Sequence, residues 1–157
     1  MAGLYVKVAT EKQIIMDLKN QTQKRTIKFR GKRIDNGEWV YGAFYPIKNE
    51  NVYFIINNCK SLNFDDDDTT FNGYKVHKKS VGQFTGLHDK NCKEIYEGEI
   101  LYNNDREEHC IVKYSKEKAM FIVKYLESND EFPLWESISN LYYSVGNIYE
   151  NIELLEK

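Results

Sequence analysis

The densest group of residues that could do chemistry is a basic run near the start of the chain. Six of the ten residues from 24 to 33 are cationic. Within the run, apolar side chains at 27 and 29 alternate with cations at 28, 30 and 32, a pattern typical of a strand with one solvated face. Cations aligned on one face could contact successive phosphates, so the run is a candidate nucleic-acid site. Its members are Lys24, Arg25, Lys28, Arg30, Lys32 and Arg33.

The same cations have a second interpretation, because the whole chain is slightly acidic. Its net charge is −2, whereas nucleic-acid-binding domains are usually strongly basic. Residues 1–34 carry nine Lys and Arg against two acids, and residues 35–157 carry thirteen against twenty-two. The net charges of the two parts are therefore +7 and −9. These opposite charges can neutralise each other within one fold or between copies of the chain. Cationic strand faces also protect sheet edges from aggregation.

Two further groups of residues resemble metal sites without meeting the requirements of one. The acidic run at residues 65–68 can begin a calcium loop aligned from Asp68, but the position of the bidentate glutamate then falls on Lys79. His109 and Cys110 are adjacent, and consecutive strand residues point to opposite faces. We therefore expect no metal and no cofactor, and we expect Cys110 to be a buried apolar residue.

A catalytic function would have to rest on the carboxylates Glu94, Glu97 and Glu99, which surround Gly98. Such a cluster supports acid–base chemistry only where burial separates the pKa values of its members. The sequence contains none of the common nucleotide-binding, hydrolase or metalloprotease motifs. The sequence therefore predicts a protein that is not an enzyme.

The cellular compartment follows from the apolar segments and the cysteines. The longest apolar run, residues 52–56, is far shorter than the roughly 20 residues of a membrane helix. The N-terminus lacks a signal-peptide core, and three widely spaced cysteines do not suggest a disulfide framework. We expect a cytoplasmic protein without disulfides and without membrane contact.

The elements that must position these residues are mostly strands. A capping-box pattern followed by Ile14, Ile15 and Leu18 predicts a short helix at 11–19, within an N-terminal arm at residues 1–24. A second helix is predicted at 133–141, with an apolar stripe. Asn36 and Gly37 predict a hairpin turn. Strands are predicted at 27–32, 39–45, 52–56, 74–77, 99–102, 109–114, 120–126 and 144–149.

Short strands joined in this way favour a mainly β (α+β) fold, in the form of a small barrel or a strongly twisted antiparallel sheet with short helices. Residues 25–157 form its β-rich domain. Closure is favoured because it removes exposed strand edges.

Three segments resemble the YopX family of phage and prophage proteins. Residues 82–100 resemble the family signature, residues 27–30 with 39–42 resemble its N-terminus, and residues 145–151 with 153–155 resemble its C-terminal motif. The resemblance implies a small β-rich protein with an SH3-like barrel element and no established biochemical function. The motif residues that we expect to be structural are Gly86, Leu87, Asp89, Ile95, Tyr96, Gly98, Glu99, Gly146, Asn147, Tyr149 and Glu150.

The chain departs from the family pattern at two positions. It has Cys92 where the family usually has Gly, and Glu99 where the family usually has Asp. A Cys at positive φ costs about 1 kcal/mol relative to Gly. We therefore predict that Asn91, and not Cys92, adopts the left-handed conformation of this turn.

These observations together predict a phage-encoded accessory protein in the cytoplasm of a bacterial host. Its function is expected to be binding of a phage or host protein, as an adaptor, since aromatic residues and Arg are favoured at interfaces. Self-association into a homo-oligomer would also be favoured, because the basic part of one copy could contact the acidic part of another. The alternative function is nucleic-acid binding through residues 24–33.

Overall fold

The computed structural model describes residues 26–47, 51–58 and 72–156. These residues form eleven strands in two antiparallel sheets, with one short helix, α1 (Glu136–Ser139). The strands are β1 (Phe29–Lys32), β2 (Trp39–Ile47), β3 (Val52–Asn58), β4 (Asn72–Lys75), β5 (Gly82–His88), β6 (Glu94–Tyr96), β7 (Glu99–Asn103), β8 (Glu108–Ser115), β9 (Met120–Tyr125), β10 (Glu131–Pro133) and β11 (Tyr143–Asn147). The mainly β prediction is confirmed.

The first sheet has the strand order β4-β3-β2-β1-β5-β6. Its central hairpin joins β1 to β2 through the predicted turn, in which Gly37 has a φ of 74°. The second sheet has the order β10-β9-β8-β7-β11 and contains the predicted meander. Neither sheet closes on itself within the described residues, so the strand pairing shows two open antiparallel sheets there and no closed barrel.

A tight turn at Gly98, with a φ of 83°, joins β6 of the first sheet to β7 of the second. The Gly98 N–H donates to the Val112 carbonyl at 2.8 Å, and its carbonyl accepts from the Ile148 N–H at 2.9 Å. This short connection holds an edge of the first sheet beside β7. Residues from the two sheets therefore meet at the junction.

Each sheet contributes to a separate apolar core. The core of the first sheet contains Val40, Ile55 and Val76. The other core lies mainly on the second sheet but also includes Ile95 of β6, a strand of the first sheet. Its members are Ile95, Leu101, Cys110, Val112, Val123, Leu134 and Tyr142. Cys110 is fully buried as predicted, and burial raises the pKa of its thiol to about 12.

Two predicted details are wrong. The second helix begins at Glu136 and not at 133, because Pro133 belongs to β10, an edge strand that tolerates a residue without an N–H. In the β5–β6 turn, Cys92 has a φ of 62°, and Asn91 does not have a positive φ. Asp89 Oδ1 accepts the N–H groups of Asn91 and Lys93, which fixes the turn and leaves Cys92 at the left-handed position.

The predicted helix at 11–19 and the cations Lys24 and Arg25 lie outside the described residues. Among the described residues, no helix has the length and apolar character needed to cross a bilayer.

Candidate functional site

The family-motif residues meet where the two sheets adjoin, around the ion pair of Arg30 on β1 and Glu99 on β7. Both side chains are buried, with 4% and 1% of their surfaces exposed. Arg30 Nη1 donates to Glu99 Oε1, and Ser144 Oγ donates to Glu99 Oε2. The guanidinium lies 4.6 Å from the centroid of the Trp39 ring and 5.1 Å from that of Tyr96. We call this group of five residues the inter-sheet seam.

Every predicted phosphate-binding cation of the described residues has a carboxylate partner. The β1 cations pair with acids from distant parts of the chain: Lys28 with Glu94 at 2.7 Å, Arg30 with Glu99, and Lys32 with Glu150 at 2.9 Å. Arg33 pairs with its neighbour Asp35 at 2.5 Å. The structure thus brings four of the six predicted cations into ion pairs, and part of the +7 and −9 charge is neutralised within the fold.

Two of these carboxylates, Glu94 and Glu150, have lowered pKa values and are therefore held in their charged forms. Hydrogen bonds from Asn147, Lys32 and Trp39 lower the pKa of Glu150 to about 2. The ammonium group of Lys28 lowers the pKa of Glu94. The surface of β1 is therefore close to neutral at physiological pH.

The three candidate catalytic carboxylates serve different partners. Glu94 accepts from Lys28, Glu99 accepts from Arg30 and Ser144, and Glu97 Oε1 lies 3.4 Å from the backbone nitrogen of Tyr114. We find no hydrogen bond between any two of them among the described contacts.

A shallow cleft of about 280 Å³ lies beside the inter-sheet seam, with Trp39, Lys93 and Asn147 in its walls. The aromatic ring of Trp39 already packs against Arg30, and Lys93 Nζ already lies 3.0 Å from Ser144 Oγ. The polar groups of this cleft are thus largely engaged with each other, as expected of a structural junction.

Other motif residues hold turns in place. Asp89 is buried, and its Oδ2 accepts the Ser144 N–H at 2.9 Å, which ties the β5–β6 turn to β11. Asn147 Oδ1 accepts the N–H groups of Tyr149 and Glu150. A Cβ at Gly146 would lie 2.2 Å from Asn151 Oδ1. These contacts assign packing roles to the C-terminal motif.

A different surface has the properties of a binding site. A groove of about 440 Å³ lies between β10 and α1, and we call it the β10–α1 groove. Three large apolar side chains line it while about half of their surface or more remains exposed: Phe132 at 51%, Trp135 at 61% and Leu141 at 49%. No other described groove in the structure brings together so many exposed apolar side chains of this size.

The floor of the β10–α1 groove is a short chain of hydrogen bonds. The hydroxyl groups of Tyr125 and Tyr142 lie 3.2 Å apart, and the Tyr142 hydroxyl donates to Glu108 Oε1. Burial and the Glu108 carboxylate both raise the pKa of Tyr142. The floor therefore stays protonated and polar beneath an apolar rim.

The charges around the β10–α1 groove are predominantly negative. Arg106 pairs with Glu108 at 3.6 Å. Asp130 lines the groove and Glu136 follows Trp135, and both are exposed. Within the described part of the chain, neither forms an ion pair. The groove lining therefore contains one unpaired carboxylate, Asp130, beside the Arg106–Glu108 pair, and Glu136 lies next to Trp135 outside that lining.

The groove also borders a free strand edge. β10 pairs with β9 on one side, and on the other side it pairs with no strand among those described. An exposed edge can accept an added strand from a partner.

Sequence reasoning missed this site because it assigned Leu134, Ile138 and Leu141 to one buried helical stripe. Leu134 is buried, but α1 ends at Ser139 and Leu141 is exposed. The sequence feature that could have indicated this site is Trp135, an aromatic residue that lies outside the predicted apolar stripe.

Comparisons with known proteins address the family and the fold. The family model described as YopX protein matches residues 28–156. A solved structure described as the crystal structure of protein EF1440 from Enterococcus faecalis is similar over 83% of this chain and 99% of that chain, with 24% identity and a TM-score of 0.50. This likeness concerns the fold alone. No curated protein matches the chain.

Proposed function

Because the chain belongs to the YopX family, we propose that it is a phage or prophage accessory protein that acts without catalysis, as a protein-binding or adaptor module in the bacterial cytoplasm. Its binding surface is the β10–α1 groove. The SH3-like barrel element of the family corresponds, in this proposal, to the second sheet, whose meander from β7 to β10 has the required antiparallel connectivity.

The observation that carries the proposal is the concentration of exposed apolar surface around one groove. Phe132, Trp135 and Leu141 come from a strand, the start of a helix and the turn after it. Aromatic side chains at the centre of a concave patch are the usual anchors of protein interfaces. The apolar surface that they expose is stabilised when a partner covers it.

The chemistry of the partner follows from the rim. The unpaired carboxylate of Asp130 in the groove, with Glu136 beside Trp135, favours a cationic ligand, since complementary charge increases association rate and specificity. The best fit is a protein segment with apolar residues flanked by Lys or Arg.

The ion pairs of β1 count against the second candidate, nucleic-acid binding. A phosphate would have to displace the carboxylates that now contact Lys28, Arg30 and Lys32. Salt-dependent affinity arises when protein cations neutralise phosphates and release the counterions condensed on the nucleic acid, and a cation already paired with a carboxylate does so poorly.

The test is a titration of the full chain against two labelled peptides that share the same apolar residues. One peptide carries Lys at the remaining positions and the other carries Glu. We expect the Lys peptide to bind and the Glu peptide to bind at least tenfold more weakly. Trp135→Ala should weaken Lys-peptide binding at least tenfold, as removal of an interface anchor does. Ile152→Ala, which removes an apolar side chain 56% exposed elsewhere, is the matched control.

Three results would overturn the proposal: equal binding of the two peptides, no binding of either, or unchanged binding by Trp135→Ala. A parallel titration with single-stranded DNA tests the alternative function, which is nucleic-acid binding. Salt-sensitive DNA binding that Lys28→Glu with Lys32→Glu abolishes would establish the nucleic-acid function instead. A dimer that Trp135→Ala converts to a monomer would identify a second copy of the chain as the occupant.

A further inference from the structure

We propose that the partner segment binds in an extended conformation and adds to the free edge of β10 as an antiparallel strand, with alternate side chains in the β10–α1 groove. The inference rests on the proposed function, because it specifies how a protein segment with apolar and cationic residues occupies the same groove. Three features carry it: the directions of the backbone groups of β10, the proline in that strand and the unpaired carboxylate of Asp130.

The backbone groups of β10 alternate between β9 and the free edge. At one end, the Asp130 carbonyl accepts the Tyr125 N–H at 2.9 Å, and at the other the Leu134 N–H donates to the Phe121 carbonyl at 3.0 Å. In an antiparallel ladder, every second residue directs its backbone groups to the same neighbouring strand. Phe132 lies midway between the two ends, so its backbone groups also face β9.

Glu131 and Pro133 lie between these residues, so their backbone groups point to the edge that no described strand covers. Glu131 offers one N–H and one carbonyl there, whereas Pro133 offers only its carbonyl, because proline has no N–H. An added antiparallel strand therefore forms three hydrogen bonds with this edge. The proline also keeps the pairing short, which is one way in which natural edge strands avoid aggregation.

The side chains of an added strand divide between the two faces of the second sheet. Residues directly opposite each other in an antiparallel pair point to the same face. Phe132 and Asp130 both line the β10–α1 groove, so the partner residues opposite them also point toward it. The residue opposite Glu131 points to the other face, where Glu131 already pairs with Lys113. Only alternate residues of the partner are therefore selected by the groove.

The groove lining determines which residues these are. Phe132 directs its backbone groups to β9, so the residue opposite it forms a non-hydrogen-bonded pair, in which side chains approach closely. An apolar residue there covers the exposed part of the Phe132 ring. Asp130 forms no ion pair among the described residues and lines the groove, so a Lys or Arg opposite it supplies the missing charge.

The antiparallel direction fixes the order of these residues in the partner. The apolar residue comes first, any residue follows, and Lys or Arg comes third. A second apolar residue, two positions before the first, lies opposite Leu134, whose neighbour Trp135 also lines the groove. An antiparallel addition is favoured over a parallel one because parallel pairing is slightly less stable per residue.

The experiment uses the full chain and two forms of the Lys peptide that differ only in the spacing of two leucines. In the strand form one lysine separates them, which places both on one face of a strand. In the helix form two lysines separate them, which places both on one face of a helix but on opposite faces of a strand. We expect the strand form to bind at least tenfold more tightly than the helix form.

A single N-methyl group on the strand form tests the register. The lysine that follows the second leucine lies opposite Glu131, and its N–H donates to the Glu131 carbonyl. Methylation of that nitrogen should weaken binding at least tenfold. Methylation of the nitrogen of the second leucine is the matched control, because this N–H points away from β10, and it should change the affinity less than threefold.

Pro133→Ala should increase the affinity for the strand form, because it adds an N–H to the free edge and removes no described hydrogen bond. One further hydrogen bond to the partner predicts about threefold to tenfold tighter binding. Pro46→Ala changes the other proline of the chain, in β2 of the first sheet, and should leave the affinity unchanged within twofold. Saturation with the strand form should also slow hydrogen exchange of the Glu131 amide at least tenfold and leave that of Phe132 unchanged.

The outcomes separate this inference from the proposed function. Strand addition is overturned if the helix form binds as tightly as the strand form, if the two N-methyl positions cause equal losses, or if Pro133→Ala does not increase the affinity. Where such binding still requires Trp135, the proposed function stands. No binding of either form would overturn the proposed function itself. A dimer that forms without peptide and is strengthened by Pro133→Ala would identify the edge of β10 as a contact between copies and overturn the assignment to a partner.

Discussion

The residue whose environment departs most from that of an ordinary surface cation is Arg30. Its guanidinium is enclosed by Trp39 and Tyr96, and its ion pair with Glu99 connects the two sheets. Its Nε is buried and has no hydrogen-bond partner among the described residues. A buried charge depends strongly on its partner, because the desolvation penalty remains when the partner is removed.

Arg30→Met should therefore lower the free energy of unfolding by about 3–5 kcal/mol. The double substitution Arg30→Met with Glu99→Met should recover much of this loss, because it leaves no unpaired buried charge. Urea unfolding followed by circular dichroism measures both. Arg33→Met is the matched control: its pair with Asp35 is exposed to solvent, so the loss should be much smaller than that of Arg30→Met. Equal losses for the Arg30 and Arg33 variants would contradict the proposed role of the seam.

The carboxylates paired with β1 make stability depend on pH. The folded-state pKa values of Glu94 and Glu150 are lowered, that of Glu150 to about 2. A lowered pKa contributes stability that is present above the unfolded-state value, about 4.3, and lost as pH falls through the folded value. The free energy of unfolding should thus decrease between about pH 5 and pH 2. Glu150→Gln should flatten that decrease, whereas Glu117→Gln, an exposed acid without an ion pair among the described residues, should not. If the free energy of unfolding depends on pH in the same way in the unmodified chain, Glu150→Gln and Glu117→Gln, this origin of the pH dependence is refuted.

The left-handed backbone conformation of Cys92 leads us to predict a stabilising substitution. Cys92→Gly should raise the free energy of unfolding by about 0.5–1 kcal/mol, because Gly adopts a φ of 62° without a steric penalty. Asn91→Gly is the control and should not stabilise, since Asn91 does not have a positive φ. Thermal unfolding of the two variants measures the difference. A stabilised Asn91→Gly with an unchanged Cys92→Gly would reinstate the conformation expected from sequence.

At the scale of elements, strands and turns were predictable where a local pattern determines them. The β1–β2 hairpin follows from Asn36 and Gly37, and the meander follows from alternating apolar residues. The end of α1 was not predictable, because the stripe through Leu141 continues beyond the residue at which the helix stops. The pairing of β1 with β5 could not be predicted either, because local sequence patterns do not indicate contacts between strands so distant in the chain.

A close approach of two strands gives a prediction at this scale. A Cβ built at Gly42 on β2 would lie 2.0 Å from the Ile56 carbonyl oxygen on β3. Gly42→Ala should therefore force the two strands apart and lower the free energy of unfolding by about 2–3 kcal/mol. At Gly86, nothing lies within 4 Å of the added Cβ, so Gly86→Ala should cost only the roughly 1 kcal/mol of its positive φ. Chemical denaturation of both variants provides the comparison, and a smaller loss for Gly42→Ala than for Gly86→Ala would contradict the close approach of β2 to β3.

At the scale of the whole molecule, the ion pairs of β1 neutralise part of the uneven charge of the sequence within the fold. The cations of β1 meet acids that lie more than sixty residues away, so a run that looks like a phosphate site becomes part of a junction between sheets. Sequence could identify the basic run but not its partners, because the ion pairs exist only once both sheets have formed. The β10–α1 groove was unpredictable for the same reason: it combines residues that are apolar in sequence and exposed only through the fold.

The β10–α1 groove is the surface on which the proposed function depends. The most direct test of its role is a series of two-dimensional amide spectra of the labelled full chain during titration with the Lys peptide. We predict that the largest shifts fall on Phe132, Leu141 and the indole N–H of Trp135, with β1 unchanged. Shifts centred on Lys28 and Lys32, or the absence of any localised shift, would contradict a binding role for the groove.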